Sequence, residues 1–289
     1  MKPWPRRPYF KIMREELQKK VNNAIKLLRI YSDAKNGEPL EIAYSGGKDS
    51  DVILQLAKEA KINYRAIYKN TTIDPPGTIK HAIEMGAEII RPKFSFFKLI
   101  QQKGMPSRFT RFCCSVLKEY KVLGVSVIGV RREESVKRAK RYVEPTVCRI
   151  YNKKDYVEQV LPILDWTLQD IAEFVEDRKL KLAPVYYDEN GKIDYNRRLG
   201  CMCCPLASEN KRLEEFKKYP KLVKCWIKAQ EVFRETHQDS RCVKLYGDVY
   251  ENFYFELFRK KARKIPRNKN SIFPVDYKKE IQEIFGINL

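Results

Sequence analysis

Apolar side chains fall at helical spacing over 12–30, where Met13, Leu17, Val21, Ile25 and Leu28 recur every three or four residues. This period predicts one amphipathic leading helix. The pattern then changes. Leu40–Tyr44, Tyr64–Tyr68, Glu88–Ile90 and Val125–Val130 are short β-type runs separated by stretches long enough for helices. That alternation predicts an α/β fold, a parallel sheet flanked by helices and joined by right-handed crossovers. A further strand is expected near Val160–Ile163. After it, Thr167 and Asp170 form a capping-box pattern ahead of Leu168, Ile171, Ala172 and Val175, so a helix should run to about Lys179 and stop before Pro184. From Glu209 onward the pattern is helical, with Pro220 opening a second helix. The expected organisation is therefore a leading helix (1–36), an α/β domain (37–208) and a basic helical C-terminal region (209–289).

Composition adds three constraints. With 289 residues, 43% of them hydrophobic, the chain is long enough to bury a full core. Lys and Arg number 58 against 37 Asp and Glu, and the formal charge of +21 should attract polyanions such as nucleotides or nucleic acid. The longest uncharged apolar run, Val122–Val130, is far short of the roughly 18 residues of a membrane span, and the basic start Met1–Arg7 leads into no apolar signal core. The expected compartment is the cytoplasm, with no membrane partner. In that reducing setting, tight cysteine clusters suit metal or redox chemistry better than a disulfide framework.

The run Leu40–Tyr44 leads into Ser45-Gly-Gly-Lys-Asp-Ser50 and then into a segment with Val52, Ile53, Leu56 and Ala57 at helical spacing. Strand, glycine turn and helix together make an anion site. Gly46 and Gly47 let the backbone approach a phosphate, and the helix start offers amides and a positive dipole end. Lys48 adds a charge, and Ser45 and Ser50 add hydroxyls. Asp49 either caps the helix or touches metal or ligand. The spacing is not that of a Walker loop.

Ser45–Ser50 resembles the PP-loop of ATP pyrophosphatases and of the phosphoadenosine phosphosulfate (PAPS) reductase family, and further motifs extend the resemblance over about 40–207. They are Asn70-Thr-Thr-Ile-Asp74, Arg111-Phe-Cys-Cys-Ser-Val-Leu-Lys118, Gly129-Val-Arg-Arg-Glu-Glu-Ser135 followed by Arg138, Pro162-Ile-Leu-Asp-Trp166, and Arg198-Leu-Gly-Cys-Met-Cys-Cys-Pro205. The resemblance implies an adenine nucleotide α-hydrolase-like, Rossmann-like fold. It also implies an adenine nucleotide, ATP or adenylyl sulfate, held by Ser45–Ser50 with Thr72 and Asp74, and Mg as a candidate companion. Arg131 and Arg138 suit bidentate contacts to a sulfate or phosphate, and with Lys118 they are the expected catalytic cations. Trp166 is expected in the core or against the second layer. One departure stands out: thioredoxin-dependent PAPS reductases end in Glu-Cys-Gly-Leu-His, and neither Lys224-Cys-Trp226 nor Arg241-Cys-Val243 matches.

Cys113, Cys114, Cys201 and Cys204 supply four thiols whose spacing is like the cluster-binding pattern of the iron–sulfur branch of this family. Soft sulfur ligands suit a 4Fe-4S cluster or tetrahedral zinc. Cys203 is an extra thiol inside the motif, Cys148 reads as a buried small hydrophobe, and Cys225 reads as inert. His81 and His237 lie in no metal-like spacing. Three functions fit: sulfonucleotide reduction or adenylation-dependent sulfur transfer, with an electron or sulfur donor protein as partner; ATP-dependent sulfur modification of tRNA or the DNA backbone, for which the basic stretch Arg259–Lys269 offers a surface; and a zinc-stabilised nucleotide-binding module without catalysis.

Overall fold

The computed structural model describes residues 13–151, 155–258, 268 and 272–289. The chain forms two compact units, each assembled from separated segments. The first comprises Met1–Lys69, Pro76–Ile90 and Tyr120–Leu199; the second comprises Asn70–Pro75, Arg91–Glu119 and Gly200–Leu289. These units are drawn along lines other than 1–36, 37–208 and 209–289, because segments distant in sequence share one core.

The first unit is built on a six-stranded sheet. Its strands are β1 (Leu40–Tyr44), β2 (Tyr64–Lys69), β3 (Glu88–Ile90), β4 (Val125–Val127), β5 (Thr146–Tyr151) and β6 (Asp155–Val160), in the order β3-β2-β1-β4-β6-β5. All neighbours are parallel except the antiparallel pair β5 and β6. The leading helix, Glu15–Asp33, buries Leu17, Val21 and Leu28, three of the positions its period marked, together with Ala24; Ile25 is half-buried and Met13 precedes the helix. Helices Lys48–Ala60 and Leu168–Asp177 add Val52, Leu56, Ile171 and Phe174 to the same core, with Trp166. The capping box forms as its sequence requires: Thr167 Oγ1 accepts from the Asp170 amide at 3.1 Å, and Asp170 accepts from the Thr167 amide at 2.8 Å.

Two expectations are corrected here. The strand placed near Val160–Ile163 ends at Val160. Pro162 has no amide to donate to a ladder, and 161–164 closes a turn through Leu164 N to Leu161 O at 3.2 Å. Strand β5 was not anticipated. It lies on the sheet edge with Cys148 and Ile150 exposed, so Cys148 is not the buried hydrophobe expected.

The second unit contains the helices Phe96–Lys103, Phe112–Leu117, Glu209–Lys218, Lys221–Thr236, Arg241–Leu245, Val249–Leu257 and Tyr277–Phe285. Phe216 is the hub of its core, with edge-on rings from Trp226 at 5.9 Å, Phe253 at 5.4 Å and Phe285 at 6.0 Å. Phe96, Leu99, Ile100 and Leu117 join that cluster from the earlier segment. Of the basic stretch Arg259–Lys269, only Asn268 is among the described residues. No described helix is long and apolar enough to cross a membrane.

Candidate active site

The strand order reverses between β1 and β4, with β2 on one side of β1 and β4 on the other. Open parallel sheets bind ligands at the carboxyl ends of strands flanking such a switch point. The segments that follow these two strands, 45–50 and 128–138, carry the glycine loop and the arginine motif.

Gly46 has φ 74°, a left-handed conformation, and a Cβ there would lie 2.9 Å from Thr78 Cγ2. Only glycine suits both conditions. Gly47 is the extended N-cap of the helix that starts at Lys48. Around the turn, the Ser50 hydroxyl donates to Gly47 O at 2.7 Å and the Lys48 amide donates to the Tyr186 hydroxyl at 3.1 Å. Gly129, just past β4, passes so close to the start of this helix that a Cβ would sit 3.2 Å from the Asp49 carbonyl carbon. The two glycine motifs thus fit against each other.

Ser45, Lys48, Ser50, Arg138, Tyr186 and Arg198 are among the residues lining a cleft of about 170 Å³. Lys48 is buried beside Asp49, with Nζ to Oδ2 at 3.5 Å, and over the Tyr186 ring at 5.5 Å. Burial, aided by Arg131 and opposed by Asp49, pulls its ammonium below the usual lysine range. Arg138 and Arg198 both pair with Glu134, Arg198 at 3.2 Å. Burial and then Arg198 hold the Arg138 guanidinium below its ordinary value. A second anion in this cleft would relieve that crowding of cations.

Arg131 plays another part. It is buried, its Nε donates to Asp49 Oδ1 at 2.7 Å, and its NH1 donates to Glu133 Oε2 at 2.6 Å. Glu133 Oε2 in turn accepts from the Leu168 amide at 2.6 Å. Arg131 is therefore neutralised by two carboxylates and holds Asp49 in the first turn of the helix; Arg198 joins Arg138 on the cleft wall. Two further participants carried no local signal. Tyr186 reaches the loop from 138 residues away, and a buried trio beneath the loop joins the Tyr44 hydroxyl and His81 Nε2 to Asp51, the latter at 3.0 Å.

Thr72, Asp74, Lys118 and the four clustered cysteines all fall in the second unit. The Asn70–Asp74 loop holds Thr72 at φ 62°, stabilised by Phe96 N donating to Thr72 Oγ1 at 2.8 Å. Cys201 Sγ lies 3.5 Å from Thr71 Oγ1 and 3.9 Å from Asp74 Oδ1. Cys203 adopts φ 55°, donates its amide to Glu215 at 2.6 Å and buries its thiol, which burial pushes up. Left-handed backbone at Cys203 turns the loop between Cys201 and Cys204.

The thiols lie within electrostatic reach of one another. Hydrogen bonding between Cys113 and Cys114 drives the first up and the second down, with Lys118 and Arg111 also favouring the Cys114 thiolate. Burial, with Cys201 and Cys114 nearby, raises Cys204. Burial opposes the charge on Lys118, but Cys201 and Asp74 raise it overall. Four thiols with a cation beside them are a donor set that suits zinc or iron–sulfur in kind. Among the described residues, however, no three Cys, His, Asp or Glu side chains converge in metal-ligating geometry.

The phosphoadenosine phosphosulfate reductase domain family matches residues 39–207. An uncharacterised protein of Methanocaldococcus jannaschii is 28% identical over 232 residues, 74% of this chain and 52% of that protein. Sulfate adenylyltransferase subunit 2 of Agrobacterium fabrum is 24% identical, over 67% of this chain and 69% of that protein. A PAPS reductase structure from Candida auris, in a phosphate complex, superposes with a TM-score of 0.41 at 16% identity over 60% of this chain and 90% of that one. The chain spans about half the length of the archaeal relatives it matches.

Proposed function

We propose, for a chain that belongs to the phosphoadenosine phosphosulfate reductase domain family, that it binds ATP or a sulfated adenine nucleotide in the Ser45–Ser50 cleft and uses it for sulfur chemistry. The observation that carries this reading is the cleft itself: a glycine loop at a sheet switch point, faced by Lys48, Arg138 and Arg198. Backbone amides and Lys48 take the phosphates. Arg138 and Arg198 neutralise the charge that develops on the group transferred, the main catalytic contribution available here. Arg131 holds Asp49, and through it the start of the helix. ATP would bring its own Mg2+.

If the chain takes a 4Fe-4S cluster, or zinc in the alternative, Cys113, Cys114, Cys201 and Cys204 are the thiols that would hold it, once drawn together from the separation they have here. Such a cluster supplies electron transfer or a sulfur-binding iron, and zinc supplies structure. Lys118 keeps a positive charge beside these thiols. Two chemistries fit. A thiolate can attack the sulfur of an adenylyl sulfate, releasing the nucleotide and leaving a sulfonated thiol that a dithiol donor protein reduces to sulfite. Alternatively, an acceptor oxygen attacks the α-phosphorus of ATP with loss of pyrophosphate, and a sulfur nucleophile then displaces AMP. A nucleic acid as the acceptor is the second reading, favoured by the formal charge of +21.

The test is an anaerobic preparation assayed for iron, sulfide and zinc, then offered ATP, adenylyl sulfate and its 3′-phosphorylated form in turn, with a dithiol reductant present. Sulfite release identifies reduction, and pyrophosphate release identifies adenylation. Failure of all three nucleotides to bind overturns the reading.

A further inference from the structure

The helix Val136–Arg141 buries none of its residues and carries four basic side chains in six positions. A helix without a buried face has to be held at its ends, and this one is. Ser135 Oγ accepts from the Arg138 amide at 3.2 Å. At the other end Tyr142 is buried, and the Arg132 guanidinium donates to Tyr142 O at 3.0 Å and to Val143 O while pairing with Asp165. The tethering fixes a surface that packing does not use.

Arg138 of this helix turns to the cleft and Glu134. Positions three and four apart share a helix face, so Lys137, Lys140 and Arg141 form one face, with Arg138 about 100° round from Lys137. All three are exposed, and none has an acidic partner among the described residues. Arg141 lies over its neighbour's ring, Tyr142, at 5.5 Å. Like charges at this spacing repel, so the arrangement does not stabilise the helix by itself. Val136 and Val143, 72% and 64% exposed, flank the cations with apolar surface suited to sugars and bases.

We propose that Val136–Arg141 is a docking rail for the phosphate backbone of a nucleic acid acceptor, set beside the nucleotide cleft by Arg138. The proposal rests on the reading of that cleft as a nucleotide site. Three unpaired cations on one face match a polymer of regularly spaced phosphates, whereas a nucleotide in the cleft already has Lys48, Arg138 and Arg198.

The test uses the full chain and its Lys137→Ala/Lys140→Ala/Arg141→Ala variant. Fluorescently labelled duplex DNA, single-stranded RNA and polyglutamate are titrated over a salt series, and ATP is titrated by calorimetry in the same preparations. The expected result is binding of nucleic acid whose log affinity falls with log salt, with a slope shallower by about 2–3 in the variant, since each phosphate contact contributes about 0.7–0.9. ATP affinity should be unchanged. A control lacking Lys26, Lys58 and Lys61, exposed lysines outside this helix, should change the slope by less than the variant does. An unaltered slope in the variant overturns the proposal, and so does polyglutamate bound as tightly as nucleic acid, which would point to an acidic protein. If the wild type fails to bind ATP, the nucleotide reading falls, and the slope still judges the helix.

Discussion

In the proposed nucleotide site, Lys48 and Gly46 would serve the ligand at a cost to the stability of the fold. Burial disfavours the Lys48 ammonium, and Gly46 occupies a backbone conformation that a side chain would strain. Replacing Lys48 by Met removes a buried charge and keeps the volume. The Lys48→Met variant should therefore melt no lower than wild type while losing ATP affinity by about tenfold or more, the scale of a charge-assisted contact. Gly46→Val should cost about 1–2 kcal/mol in backbone strain alone, displace Thr78 and abolish ATP binding with the circular dichroism spectrum retained. Calorimetric titration with thermal melts checks both; a Lys48→Met protein of full affinity would refute the role. The loop was legible because six consecutive residues fix its chemistry. Tyr186 was not, since nothing around it in the sequence says that its hydroxyl meets the Lys48 amide. Arg131 reads as an anion contact by motif, and the sequence does not show that two carboxylates, Asp49 and Glu133, pair with it.

At the scale of elements, what sequence exposed best was local geometry. Thr167 and Asp170 declare a helix start because both partners lie within one turn. The antiparallel pair β5 and β6 stayed hidden: in the edge strand β5 the solvent-facing positions are Cys148 and Ile150, so no alternation of apolar and polar residues marks it. Asp170 does more than cap. It also accepts from Lys20 Nζ at 2.8 Å and from Arg14 NH2 at 2.8 Å, tying Leu168–Asp177 to the leading helix and its approach. Burial pushes its carboxyl up, but Lys20 and the Thr167 bonds outweigh that and hold it below the usual aspartate range. A depressed folded value stabilises the fold fully above the unfolded value near about 3.9, and the contribution is lost as pH falls through the folded value. Asp170→Asn should accordingly flatten the acid limb of the stability curve below about pH 4. Asp170→Ala should cost about 2–4 kcal/mol at neutral pH, combining a lost cap with a broken buried pair. Urea melts at several pH values measure both effects.

At the scale of the whole molecule, hydrophobic pairing between distant segments decides the organisation, and no window of sequence displays it. The family match ends at residue 207, close to the expected boundary at 208, which invites the view that 209–289 is an appendage. The second unit's own core argues otherwise. Phe96, Leu99, Ile100 and Leu117 are buried in one cluster with Phe216, Trp226, Phe253 and Phe285. A chain truncated after Ala207 would strip those four early side chains of their partners, and each fully exposed large apolar residue forfeits about 1.5–3 kcal/mol. The helix carrying Cys113 and Cys114 ends at Leu117, one of the four, so the cysteine set should lose its order with the core. The cleft residues, by contrast, all belong to the first unit. The truncated chain should therefore bind a hydrophobic dye strongly and fail to retain iron or zinc after anaerobic reconstitution, while ATP binding falls far less than metal content. If the truncation instead melts cooperatively like the full chain, binds no dye and retains metal, then 209–289 is dispensable and the shared core contributes little.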